Sequence, residues 1–264
     1  MRLRRTLLTL LPKWALSRTT GVVTRIPIPR GARAAAYRAF ARRYGVDLTE
    51  VETPLTEFRS LRDFFVRRLP STARPIAVAP LVWPCDGRIV TAGPIVEDRI
   101  PQVKGIDYGL RDLIVDDELA GRLSGGTQAT VYLSPRDYHR VHAPFTGRCT
   151  SSRHVPGSLF PVNPEAQRSI PQLFARNERV VFAFELGDGQ RAAVVLVAAL
   201  NVGDIVCDHA LPKHFEVGEE LAYFGFGSTT IVVLGPGPLT IPELSPGSAV
   251  RMGACLRGGD TPPE

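Results

Sequence analysis

The sequence predicts an α+β fold, with a β-rich, mostly antiparallel body behind N-terminal amphipathic helices. Three observations predict it. Apolar residues recur at three- and four-residue steps only ahead of Pro75. Beyond that point Pro, Gly and β-branched residues take over, in short apolar runs. Two of those runs flank Gly187-Asp188-Gly189-Gln190, a turn whose glycines accept positive φ. A chain of 264 residues, 44% hydrophobic and 22% charged, is globular, because disordered chains and membrane-spanning bundles lie far from that balance. The expected division is a basic helical region over residues 1–70 and a β-rich body over residues 71–264.

The first element is a basic arm. Residues 1–46 hold eleven Lys/Arg and no acidic residue, leaving 21 basic against 26 acidic residues in the rest of the chain. Those charges are interleaved with Leu7, Leu8, Leu10, Leu11, Trp14 and Leu16. That mix marks an interfacial helix and points to anionic lipid, not nucleic acid. Each basic side chain near such a surface contributes ~1 kcal/mol. The apolar run Leu7–Leu11 falls far short of the ~20 residues of a membrane span. Pro12 and Lys13 also interrupt the secretory signal that Met1–Arg5 could otherwise open. The alternative for the arm is a solvated basic helix packed on the body.

Next, Ala36, Tyr37, Phe40, Ala41 and Tyr44 predict an amphipathic helix between Gly31 and a C-capping Gly45. Ser60 and Asp63 form a capping box for a second helix, whose stripe is Leu61, Phe64, Phe65 and Leu69 and which Pro70 ends. Strands are predicted over Ala129–Leu133, Arg179–Leu186, Arg191–Leu200 and Thr229–Leu234, and the tail Gly258–Glu264 should fray. The widely spaced Cys85, Cys149, Cys207 and Cys255 form no C-x-x-C pair, which fits a reducing compartment.

Reactive groups are densest in Ser134-Pro135-Arg136-Asp137-Tyr138-His139-Arg140-Val141-His142-Ala143-Pro144, directly after a predicted strand. His139 and His142 lack a third residue at metal-ligand spacing, so no metal is expected and acid–base work suits them. Asp86 stands in an Asp-Gly turn, alone an ordinary structural feature. Gly225-Phe226-Gly227-Ser228-Thr229-Thr230 runs into a strand and fits neither a nucleophile elbow nor a phosphate loop. A serine after glycine can instead attack the preceding carbonyl once a histidine takes its proton.

Together these residues resemble one family, the phosphatidylserine decarboxylase proenzymes. The likeness runs through Leu11-Pro12-Lys13, Phe64-Phe65-Val66-Arg67, Arg74-Pro75-Ile76, Asp86-Gly87 and Lys104-Gly105. It continues through Tyr132–Pro144, Phe160-Pro161-Val162-Asn163 and Leu173-Phe174-Ala175-Arg176-Asn177-Glu178-Arg179. It implies a triad of Asp86, His142 and Ser228 that breaks the chain between Gly227 and Ser228, with His139 acting in decarboxylation. The pieces, 1–227 and 228–264, would stay associated, with Ser228 converted to a pyruvoyl cofactor. That ketone condenses with the amine of phosphatidylserine and draws electrons from the departing carboxylate. The resemblance further implies a peripheral protein at an anionic membrane surface, on the cytoplasmic face of the cell membrane, with no nucleic-acid partner; whether it is a monomer or a homodimer stays open. One departure is Phe226, where the family usually carries leucine. Phe224 and Phe226 either line a lipid path or pack in the core. Two other readings stand beside this one: a serine hydrolase using Ser228, His142 and Asp86 on an external ester, and a noncatalytic membrane-binding relative.

Overall fold

The computed structural model describes residues 23–103, 105–199, 205–225 and 228–256. Most of the arm, Lys104, residues 200–204, Phe226, Gly227 and the tail from residue 257 lie outside the described residues.

Helix α1 (Arg30–Tyr44) ends where the sequence predicts, at Gly45, which adopts φ +78° while its N–H caps the Ala41 carbonyl. Its buried face is Tyr37 and Ala41. Tyr37 stacks on Phe64 with centroids 4.8 Å apart and meets Phe58 edge-on at 6.0 Å, so a small aromatic core forms apart from the main one. Arg38, Arg42 and Arg43 stay exposed on the outer side.

Helix α2 (Leu61–Phe65) starts on the predicted box: the Ser60 hydroxyl accepts from the Asp63 N–H at 3.2 Å, and the Asp63 carboxylate accepts from the Ser60 N–H at 3.1 Å. It stops at Phe65 and does not run on to Pro70. In a longer helix the Val66 carbonyl would accept from residue 70, and Pro70 has no N–H to give; Arg140 Nε donates to that carbonyl instead, at 3.0 Å.

The body follows in chain order as β1 (Gly87–Pro94), β2 (Arg99–Val103), β3 (Ile106–Gly109), α3 (Leu110–Ile114), α4 (Asp117–Leu123), β4 (Thr127–Leu133), β5 (Arg140–His142) and β6 (Gly147–Val155). It continues with α5 (Pro164–Ser169), α6 (Leu173–Arg176), β7 (Arg179–Glu185), β8 (Arg191–Val197), β9 (Ile205–Val206), β10 (Lys213–Phe215), β11 (Glu220–Phe224), β12 (Ser228–Leu234) and β13 (Ala249–Val250). Helices α3 to α6 are the minority elements of a body expected to be mostly strands. At four to seven residues each, they are too short to show a helical period.

Eight strands form one antiparallel sheet in the order β10-β6-β7-β8-β12-β4-β1-β13, with β5-β11-β9 as a second, three-stranded sheet. Strand β12 lies between β8 and β4, and all seven of its residues are buried. A strand covered on both faces reads as a continuous apolar run, which is why Thr229–Leu234 is legible in the sequence. The β7–β8 turn closes through Leu186 N–H to the Gln190 carbonyl at 3.0 Å; of its two glycines, only Gly189 needs positive φ, at +84°.

The Leu173–Arg179 block is a structural staple. Buried Asn177 donates to the carbonyls of Phe160 and Ala198, both at 2.9 Å, and accepts from Phe160 N–H at 3.1 Å. Arg179, 2% exposed, donates to the carbonyls of Leu113, Ala175, Asn177 and Asp112. Carbonyls without regular partners are satisfied this way, and the loops that frame the sheet are fixed.

Candidate active site

The end of β4 gathers the candidates. On one side Ser228 pairs with Leu133, and on the other Arg88 pairs with Tyr132, which places Asp86 at the same end of the sheet. Strands two places apart are separated by ~10 Å, enough to admit an imidazole between the two side chains. The histidine block leaves directly from Leu133, and its strand β5 pairs with β11, where Glu220 faces His142. The His139 carbonyl accepts from Phe224 N–H at 3.1 Å, and the Pro84 carbonyl accepts from His142 N–H at 2.8 Å. Phe224 is fully buried and belongs to the main core.

Gly87 makes the Asp86 corner possible. A Cβ there would lie 2.4 Å from the Tyr132 carbonyl oxygen, so only glycine lets β1 approach β4 this closely.

His142, 8% exposed, has both ring nitrogens engaged: Nδ1 donates to the Gly218 carbonyl at 2.8 Å, and Nε2 faces the Tyr138 hydroxyl at 3.3 Å. A carbonyl can only accept, so Nδ1 carries the hydrogen and Nε2 the lone pair. Burial lowers the pKa of His142, against the opposing bond to Gly218.

His139 is fully buried, its ring 3.9 Å from that of Phe65. Nδ1 donates to the Asp137 carbonyl at 2.8 Å, and Nε2 has no partner. Burial pushes the pKa from 6.5 down to about 3. The sign for stability follows: between those values the unfolded chain binds a proton that the folded chain refuses. Stability is therefore expected to fall as pH drops below 6.5, by up to about 1.4 kcal/mol per pH unit for this group. Urea titrations near pH 6.5 and pH 5 should show a smaller loss for His139→Gln than for the parent; equal losses would exclude His139 as the source.

Asp86 is bound away from His142. Arg74 Nε donates to its two carboxylate oxygens at 2.9 and 3.1 Å, Arg74 Nη2 donates at 2.6 Å, and Met252 N–H donates at 2.9 Å. Arg74 also reaches Glu50 at 2.8 and 2.9 Å, and Arg251 closes on Glu50 at 2.5 Å. Burial pulls the Arg74 pKa down, but the bonds to Asp86 and Glu50 outweigh it and leave the guanidinium above its ordinary value. The hydrogen bond from Arg74 holds the Glu50 carboxyl below its usual range.

Ser228 is fully buried at the start of β12, and among the described residues its Oγ has no hydrogen-bond partner. The model thus brings Asp86, His139, His142 and Ser228 to one end of one sheet. It gives His142 contact with neither Asp86 nor Ser228.

Sequence reasoning missed Arg74, Glu50, Arg251 and the Gly218 carbonyl as partners of the site. It also missed Arg67, which lies over the Phe64 ring and donates to the Arg136 carbonyl at 3.4 Å, tying α2 to the turn before His139. Arg74 and Arg67 fall in segments that carry the family likeness, which was the one signal available for them.

A cleft of about 430 Å³ lies at the far end of β12, near Leu186 and Leu239. A smaller one, about 200 Å³, is lined by Arg68, His209, Glu220 and Tyr223 and sits on β11, the strand paired with β5. Among the described residues no helix is long and apolar enough to cross a membrane.

A family model described as phosphatidylserine decarboxylase matches residues 61–257. The chain belongs to that family. It is 43% identical over 273 residues to a phosphatidylserine decarboxylase proenzyme of an Anaeromyxobacter strain, with 95% of this chain and 96% of the other covered. The proenzyme of Pseudomonas aeruginosa is 44% identical over 242 residues, covering 82% and 83%. That of Brevibacillus brevis is 38% identical over 267 residues, covering 93% and 94%. The decarboxylase family match includes β4, β5 and β12, and so every candidate residue at the end of the sheet.

Proposed function

We propose that this chain, a phosphatidylserine decarboxylase made as a proenzyme, breaks itself between Gly227 and Ser228, converts Ser228 to a pyruvoyl group and uses it to form phosphatidylethanolamine from phosphatidylserine. The observation that carries the reading is Ser228 Oγ, fully buried and unpartnered at the strand end shared with two neutral histidines. A buried hydroxyl with no partner is costly unless it serves a purpose. Its burial also disfavours a hydrolase acting on an external ester.

In the first step His142 Nε2 takes the Ser228 hydroxyl proton while Oγ bonds to the Gly227 carbonyl carbon. The peptide C–N bond breaks and its nitrogen takes up that proton, leaving an ester. Loss of the Ser228 Cα proton then expels the Gly227 carboxylate and leaves dehydroalanine. Water replaces the nitrogen, which departs as ammonia. The residues present fit the product, since both Ser228 Oγ and His139 Nε2 are buried without partners. The ketone, once formed, supplies an electron sink for the carboxylate.

His139 holds its Nδ1 proton on the Asp137 carbonyl, so Nε2 must take a proton before it can give one. Its low proton affinity makes a protonated Nε2 a strong acid, so a proton that reaches it is passed on readily. Passed to the carbon that lost carbon dioxide, that proton takes the place of the carboxylate, and hydrolysis of the bond to the substrate nitrogen would then release phosphatidylethanolamine and free the ketone. Asp86 acts on His142 through its field, with Arg74 fixing its place.

The two pieces stay together, because β12 supplies an interior strand. The arm and the exposed Arg38, Arg42 and Arg43 hold the protein at an anionic membrane surface on the cytoplasmic face, where salt should weaken its binding to vesicles. The test of the function is intact mass: the purified chain should appear as residues 1–227 and 228–264, the second blocked by a ketone that hydroxylamine labels. A single unlabelled chain after prolonged incubation at neutral pH would overturn the reading.

A further inference from the structure

We propose that Tyr138 is a positioning residue that caps the base His142 and so holds back chain breakage. This rests on the self-cleavage reading of Ser228 and His142. With the Nδ1 hydrogen committed to the Gly218 carbonyl, the lone pair of Nε2 must accept from the Tyr138 hydroxyl, 3.3 Å away. That lone pair is the one Ser228 needs, and Ser228 Oγ contacts neither group.

The phenol is itself well held. Tyr138 is 5% exposed, its ring centroid is 5.8 Å from that of His142, and it follows a pinned turn. In that turn the Asp137 carboxylate accepts from Ser134 N–H at 2.6 Å and from its hydroxyl at 2.7 Å. Burial pushes the Tyr138 pKa up to about 12, which keeps the phenol a donor and never a base at neutral pH. At 3.3 Å the bond is longer than the usual hydroxyl hydrogen bond, so it delays release of Nε2 without preventing it. A proton relay from Ser228 through Tyr138 would need a second bond, from Ser228 Oγ to the phenol, and none exists.

The charged and titratable groups that otherwise face His142 are Glu220 across from it on β11, Arg140 on its own strand and Asp86 beside β1. Replacing the phenol by a phenyl ring leaves all three in place.

The test uses full-length chain made by cell-free translation, with the break followed on gels over a range of pH. Tyr138→Phe should raise the plateau rate constant about fivefold, the worth of one neutral hydrogen bond. It should also move the acid limb of the profile to higher pH, because a donor to Nε2 favours the neutral imidazole and its loss raises the pKa. 3-Fluorotyrosine at position 138, a stronger donor, should act in the opposite sense and slow the break. The fluorinated chain keeps the hydroxyl and so carries the test even where Tyr138→Phe folds poorly. Slower breakage in Tyr138→Phe with faster breakage in the fluorinated chain would establish a relay and overturn the cap. Unchanged rate and limb in both would overturn it too. A parent chain that never breaks would overturn the self-cleavage reading along with it, and is distinguished by the parent alone.

Discussion

Ser228→Ala is expected to stay a single chain and to release no carbon dioxide from phosphatidylserine, while melting close to the parent proenzyme. In the proposed mechanism the hydroxyl is both the nucleophile and the origin of the ketone, so no other group can stand in for it, and the loss should reach at least ~10⁴-fold, as for removal of a triad nucleophile. Stability should barely change. Ser228 is fully buried and its Oγ makes no hydrogen bond, so alanine removes an unpaired polar atom and leaves the apolar contacts of β12 in place. Intact mass, carbon dioxide release and a thermal melt on one preparation separate this from misfolding. A broken chain, or activity above that background, would reassign the nucleophile.

Arg74→Ala should be the most destabilising change at the site. It strips a carboxylate that is 6% exposed of the one cation that pairs with it among the described residues and leaves Met252 N–H as the remaining donor there. Breaking a buried pair in this way costs ~3–5 kcal/mol. For a body of this size that is a fall in Tm of ~10 °C. The double variant Arg74→Ala with Asp86→Ala should recover part of the loss, because no buried charge is then stranded, yet it should still not break its chain. A single Arg74→Ala variant melting with the parent would mean that the Glu50–Arg74–Asp86 cluster contributes little.

What the sequence made legible was what is local. Gly45 and the Ser60–Asp63 box fix their helix ends through neighbours three or four residues away, and both appear as expected. Strand β12 was legible because two-sided burial writes itself as an apolar run. What satisfies the carbonyl just past α2 is Arg140, 74 residues on, and no window over the helix contains it. The same holds at the site. Asp86 in isolation reads as a turn residue; what holds it is Arg74, 12 residues away, and the Met252 N–H, 166 residues away. Spacing three apart left it open whether His139 and His142 work together. The structure separates their environments by ending a turn before one and a strand after the other.

Strand β12 sits in the middle of the eight-stranded sheet, and its first residue is Ser228. A break at that point makes the order of events irreversible. Before it, the sheet closes as one chain, with β12 delivered to the gap between β8 and β4 by covalent attachment. After it, the same strand belongs to a separate piece of 37 residues, and once unfolded it must find that gap by diffusion at whatever concentration the solution provides. A protein broken there would have a folding history that its final composition does not encode: it would persist through the slowness of unfolding, and heat should inactivate it permanently under conditions from which the uncut Ser228→Ala chain returns.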